Sequence, residues 1–262
     1  MRTVGTRPLI VLLVASVLRT ASGQGIEFRS IDGFGNNPSS PEWGSAGIEL
    51  RRVATIDYAD GVSAPAGATR PSARAVSNGV HAQPGSTVNS AGASDFLWQW
   101  GQFLDHDIDL TPGADPAESL PIPVPTGDPF FDPLGTGTMV IGFDRSSHTV
   151  GGVRQQLNHI TSFIDASNVY GSDETRSLEL RRLDGTGKLR TSAGELLPFD
   201  PANPGFFLAG DVRANEQVGL TSMHTLFVRE HNFWCDQIHF AEPALDDDGI
   251  FLRARRIVDA EM

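Results

Sequence analysis

The sequence predicts a mainly α-helical chain with long loops and little β structure. Two segments, near residues 95–110 and 220–240, carry apolar residues at helical spacing. A third helical pattern opens on the acidic run Asp246 to Asp248, and the stretches between are rich in Gly, Pro, Ser and Asn. The chain has 262 residues, 39% of them hydrophobic, enough to bury a sizeable core as one large domain or two small ones.

The first residues read as an export signal spanning 1–23. Arg2 and Arg7 precede the apolar run Leu9 to Leu18, and Ala21-Ser22-Gly23 offers a small-residue cleavage site. That run is too short to span a bilayer comfortably, so the mature chain is expected to be secreted or periplasmic, without a membrane anchor. Residues 24–93 are Gly-, Pro- and Ser-rich and predict a loop-rich wrap around a core made elsewhere. Residues 94–262 carry the helices, and no domain boundary is evident after the signal.

Ser94 is placed to cap a helix from Asp95 to about Leu110, which Pro112-Gly113 ends. The Pro-rich segment from Pro116 to Pro133 predicts an extended surface crossing. Asp165 to Ser172 reads as loop, Asp173 to Leu183 as a short helix, and Lys188 to Leu197 as a small hairpin. The strongest helix runs from about Leu220 to Phe240. Met223, Phe227, Trp234 and Ile238 make one stripe and Leu226, Phe233 and Phe240 a second, so burial on most sides is expected. The last helical pattern is still running at Met262, which predicts that the helical part is incomplete.

A single cysteine, Cys235, leaves no internal disulfide, so an exported chain must be held by its core, by metals or by a cofactor. Cys235 itself reads as a small buried apolar residue. A net charge of −12 argues against nucleic acid and anionic membranes as partners.

The chemistry concentrates on the first helix. Phe96, Trp100 and Phe103 form one row, and Leu97, Leu104 and Ile108 widen it into a face expected in the core. Gln99, Gln102, His106 and Asp109 form a polar row, with His106 one turn after Gln102 and facing water or a wet pocket. An ordinary solvated helix face gives the same row. Yet Asp105, Asp107 and Asp109 crowd the helix's C-terminal end, where the macrodipole disfavours negative charge. Asp107 also continues the Trp100 and Phe103 row toward the core, where an unpaired carboxylate needs an Arg, a cation or covalent neutralisation.

Two downstream segments offer remedies. Thr161-Ser-Phe-Ile-Asp165-Ala-Ser167 alternates side-chain oxygens with carbonyls, a pattern that suits calcium, although Ser and Thr near Asp are also common turn residues. In Gly210-Asp-Val-Arg213-Ala-Asn-Glu216-Gln217, Arg213 and Glu216 make an ordinary surface ion pair, or beside a pocket Arg213 stabilises charge developing on an oxygen.

Together these segments resemble the animal-type haem peroxidase family, the group of myeloperoxidase, lactoperoxidase and peroxidasin, which has many bacterial members. Trp100 to Pro112 resembles the family's distal helix nearly residue for residue. Thr161 to Gly171 resembles its calcium loop, and Gly210 to Asn232 its catalytic-arginine segment. The resemblance covers roughly residues 31–262 and is loosest before Ser94.

It implies a helical peroxidase fold holding haem b and Ca2+, acting on hydrogen peroxide and a small halide or organic electron donor. By similarity His106 is the distal base, Gln102 its hydrogen-bonding neighbour and Arg213 the distal arginine. His106 takes a proton from peroxide and returns it to the leaving oxygen, whose charge Arg213 holds. Asp105 and Glu216 match the carboxylates ester-linked to haem. Asp107, Thr161, Phe163 through its carbonyl, Asp165 and Ser167 match the calcium ligands. Gln217 stands where myeloperoxidase has the methionine of an additional haem link, so that link is not expected.

The family's proximal His is expected beyond Met262, in a longer parent or a second polypeptide. His81, His148, His159, His224, His231 and His239 sit in no proximal-type motif, and His224 and His231 read as hydrogen-bonded core histidines. A calcium-stabilised secreted structural or adhesion module of the same fold is the competing expectation. A phosphohydrolase reading of His106-Asp107 lacks recognisable further ligands.

Overall fold

A computed structural model describes residues 28–262; the expected export signal lies outside the described residues. Among the described residues, six α-helices and four two-residue strands form the regular structure: α1 Ala73–His81, α2 Phe96–Asp105, α3 Ser167–Tyr170, α4 Glu174–Leu180, α5 Val218–Ala241 and α6 Asp247–Glu261, with β1 Ile48–Glu49, β2 Ile122–Pro123, β3 Val140–Ile141 and β4 Leu157–Asn158. The mainly helical architecture expected from the sequence is present. The chain divides into two compact units, one holding 28–45, 99–108 and 161–262, the other 46–98 and 109–160.

The first unit carries the helical core. Its helix starts are capped by side chains that accept orphan backbone N–H groups: Asp173 from Arg176 on α4, Gln217 from Gly219 on α5 and Asp246 from Gly249 on α6. Asp247 and Asp248 in the first turn of α6 also complement its dipole. α5 and α6 pack together, and Leu220, Phe227, Trp234, Ile250, Phe251 and Val258 join Phe103 and Tyr170 in one cluster. Gly187 lets the loop pass close under α6, since a Cβ there would fall 2.7 Å from the Phe251 nitrogen. His231 is a satisfied core histidine between Tyr170 Oη at 2.9 Å and the Gly187 carbonyl at 3.0 Å. Cys235 is fully buried as expected, and burial pushes its thiol up to about 12.

The second unit contains little apolar core. It holds two antiparallel pairs, β1–β4 (Ile48 opposite Asn158) and β2–β3 (Ile122 opposite Ile141), and carboxylate-centred turns lie between β2 and β3. Asp128 accepts from Arg74 Nε and Nη2, Asn78 Nδ2 and the amides of Phe130 and Phe131. The Arg74 guanidinium holds its carboxyl well below the usual carboxylate range. Asp132 accepts from Gly127, Thr136 and Gly137.

Several expectations are corrected. α2 ends at Asp105, so His106 and Asp107 lie in the turn that follows it. On that helix only Phe103 is buried; Phe96, Leu97 and Ile108 are exposed and Trp100 is half-buried. Leu226 and Phe240, expected to be buried on α5, are 53% and 87% exposed, whereas the Met223, Phe227, Trp234, Ile238 stripe is buried together with Leu220, His224, Val228, His231 and Cys235. Residues 188–197 form no hairpin. Instead Ser192 closes a tight loop onto Leu196 and Leu197 around a short 3-10 turn, Ala193–Glu195, with Gly194 at φ 74°. The N-terminal loop region contains α1, capped by Ser72, and the 165–172 loop contains α3. The Pro-rich crossing is pinned by the buried Asp128 and Asp132 rather than merely extended.

Candidate distal site and acidic loop

The candidate catalytic, haem-linking and calcium-binding residues all lie in the first unit. α2 supplies Gln102 and the turn after it His106, and a 3-10 turn, Val212–Asn215, supplies Arg213 and leads into Glu216. Asp211 caps that turn by accepting from the Arg213 amide at 2.8 Å. It also takes both arms of the same residue, Nε at 2.9 Å and Nη2 at 2.8 Å. Arg213 therefore pairs with Asp211 rather than in the surface pair with Glu216.

His106 is 4% exposed, so it lies beneath the surface rather than in water. Its Nδ1 has no hydrogen-bond partner and lies 4.0 Å from Asp211 Oδ1; its Nε2 lies 4.0 Å from Glu216 Oε2. Burial and then the Arg213 charge hold its pKa below the ordinary imidazole value, while Asp211, Glu216 and Asp105 pull the other way. Gln102 Nε2 donates to Glu216 Oε2 at 2.9 Å, which ties α2 to the arginine turn. Asp105 and Glu216 are both exposed.

Asp107, fully buried, points away from this cluster into a second one. Its Oδ2 accepts from the amides of Asp165 (2.9 Å) and Ala166 (3.0 Å), and its Oδ1 from the Ser167 hydroxyl (2.8 Å) and the Asn168 amide (3.2 Å). Ala166 adopts a left-handed conformation, φ 57°, that turns these amides inward. Asp165, also fully buried, accepts from Thr161 Oγ1 at 2.9 Å and keeps Oδ2 without a hydrogen bond, 3.9 Å from Arg255 Nη2. Burial and the neighbouring Asp165 push Asp107 up to about 7. The Phe163 ring packs over Gly44, where a Cβ would fall 2.5 Å from it.

The family model for Animal haem peroxidase matches residues 28–262. The chain belongs to the animal haem peroxidase family. It is 34% identical to Drosophila melanogaster peroxidasin over 90% of its own length and 19% of that protein's. It is likewise 34% identical to Mus musculus myeloperoxidase and to Homo sapiens eosinophil peroxidase, over 89% of this chain and 39% of each relative. The chain thus spans well under half of these curated peroxidases. Among solved structures, peroxidase A of Dictyostelium discoideum superposes with a TM-score of 0.76 at 28% identity, over 90% of this chain and 51% of that one. Oryza sativa fatty acid alpha-dioxygenase, at 24% identity and a TM-score of 0.73 over 97% and 42% of the two chains, shares the fold.

In this peroxidase chain four polar residues have roles at the site that the sequence did not reveal, two of them, Gln217 and His224, noted there only in other capacities. Asp211 was overlooked because its role depends on the 3-10 turn. Asn168 donates its side chain to the Phe103 carbonyl at 2.7 Å and fastens the acidic loop to α2. Gln217, noted only as a departure, donates to Gln99 (2.5 Å) and Gln102 (3.1 Å) while capping α5. A polar residue just before a long helix is a capping signal, and it was available. His224 was expected to be hydrogen-bonded. It is 1% exposed, packs edge-on to Phe103 and leaves both ring nitrogens without a hydrogen bond, with burial pushing it down to about 4.

Proposed function

We propose that this chain carries the distal, peroxide-handling side of a haem peroxidase that reduces hydrogen peroxide and oxidises a halide or organic donor. The observation that carries the reading is His106: buried, with an unpartnered ring nitrogen and a depressed pKa, beside an arginine held in a fixed orientation. A neutral imidazole accepts a proton from peroxide and returns it to the departing oxygen. Arg213 stabilises the negative charge that develops there, and Gln102 orients the Glu216 side of the site.

The residues present fit a haem on this side. Asp105 and Glu216 are exposed carboxylates flanking His106, available for ester links to the haem edge. When bound, haem b supplies the iron at which peroxide is reduced.

The second cluster fits a cation. Two fully buried carboxylates, Asp107 after α2 and Asp165 in the 161–167 loop, come together there, and one oxygen of Asp165 accepts no hydrogen bond. No group of three or more His, Cys, Asp or Glu side chains suited to a metal occurs among the described residues. The donors in question are instead mixed oxygens, those of Asp107, Thr161, Asp165, Ser167 and the Phe163 carbonyl, which is calcium chemistry. Calcium there would fix the turn that carries His106. The signal-like sequence at 1–23 supports export.

Metal analysis together with absorption spectroscopy of the purified protein tests the reading. Iron with a Soret band and peroxide-dependent oxidation of a donor is expected. Calcium alone, without haem uptake, would instead identify a structural module of the same fold.

A further inference from the structure

We propose that Asp211 is the positioning residue of the distal site, the carboxylate that fixes the Arg213 guanidinium and selects the tautomer of His106. The proposal rests on the peroxidase reading of those two residues.

Asp211 is 2% exposed, and both its oxygens accept from Arg213. Oδ1 holds the Arg213 amide and Nε, and Oδ2 holds Nη2, so the guanidinium is gripped along one edge in a bidentate fork. An arginine oriented in advance needs no reorganisation when charge develops on an oxygen beside it.

Oδ1 also lies 4.0 Å from His106 Nδ1, a buried nitrogen with no hydrogen-bond partner. Glu216 Oε2 stands equally far, 4.0 Å, from Nε2, but it is exposed and already accepts from Gln102, so the buried Asp211 carboxylate acts more strongly; it favours the proton on Nδ1 and leaves Nε2 as the lone pair that accepts from substrate.

The position of Asp211 is itself set from outside the turn. Its amide donates to the Asn168 carbonyl at 3.0 Å, and Gly210 approaches Ser167, Asn168 and Val169 so closely that a Cβ would fall 2.5 to 2.6 Å from their backbone. The same stretch donates to Asp107, Ser167 through its hydroxyl and Asn168 through its amide. One loop therefore places Asp107, next to His106 in the chain, and Asp211, two residues before Arg213.

The test uses the chain labelled with 15N at histidine and arginine, with peaks assigned from His106→Gln and Arg213→Lys. In the unsubstituted chain His106 is expected as the Nδ1–H tautomer, and the Arg213 Nε–H should exchange at least about tenfold more slowly than exposed arginines. Asp211→Asn keeps an oxygen to cap the turn but removes the charge. It should mix the tautomers, speed the Arg213 exchange and, in the haem-loaded full-length protein, slow reaction with hydrogen peroxide about a hundredfold while haem uptake persists.

Wild-type spectra and peroxide rate in Asp211→Asn overturn the proposal. If that variant does not fold, the unsubstituted chain still decides: an Nε2–H tautomer, or an Arg213 Nε–H as labile as exposed arginines, overturns it. Loss of the peroxidase reading would show separately, as normal peroxide reaction in His106→Ala, and would leave the spectra unchanged.

Discussion

The Ser167 hydroxyl donates to Asp107 Oδ1 at 2.8 Å across sixty positions of sequence. Through that bond and the three amides beside it, the residue following His106 is fastened to a loop that also carries Asp165. Two buried carboxylates of like charge, Asp107 and Asp165, thus come together, and Arg255, 3.9 Å from Asp165 Oδ2, balances only one of them.

Calcium should therefore stabilise the chain. At a calcium concentration about a hundred times the dissociation constant the gain is about 2.7 kcal/mol, a rise of roughly 5 °C or more in Tm. Differential scanning calorimetry in calcium and in chelator checks this, and Asp107→Asn should abolish the difference. Equal Tm values in the two conditions would contradict the calcium assignment.

Gly210→Ala should be costly although the position is small and uncharged. A methyl group there meets backbone rather than a flexible side chain, with the Val169 carbonyl carbon 2.5 Å away. Displacing packed backbone costs about 1–3 kcal/mol. Urea unfolding should show a lower midpoint with unchanged slope, and a wild-type midpoint would mean that the 167–169 loop and the arginine turn are not in close contact.

The acid limb of stability should depend on His231. Burial pushes its folded pKa down to about 4, below the unfolded value of about 6.5. The unfolded chain binds the extra proton, so this contribution is fully present above about pH 6.5 and is lost as pH falls toward about 4. It amounts to on the order of 3 kcal/mol. His231→Gln should flatten the fall in stability between those pH values, measured by denaturant titration at several pH values. An equally steep fall would show that His231 is already charged in the native state.

Much of this was legible in the sequence and some of it was not, for identifiable reasons. α5 and α6 follow from apolar periodicity and capping residues, signals that act within a few turns. Asp107 announced itself because a carboxylate on an apolar row demands a partner, although α2 stops before it. The exposure of Leu226 and Phe240 could not be read, since periodicity marks an apolar face without saying what covers it. Asp211 was invisible for a different reason. Its side chain acts on a residue two positions away through a 3-10 turn, and on His106 through a contact more than a hundred positions distant, neither of which leaves a pattern in the sequence. The carboxylate-pinned turns of Asp128 and Asp132 were hidden behind a Pro-rich composition that suggested only an extended crossing.

The central claim is that His106 moves the proton of peroxide. Stopped-flow mixing of hydrogen peroxide with the haem-loaded full-length protein and its His106→Ala variant measures this directly. The account predicts that the variant keeps its Soret band while the second-order rate constant falls by about a hundredfold or more. A variant that reacts at the wild-type rate would contradict it.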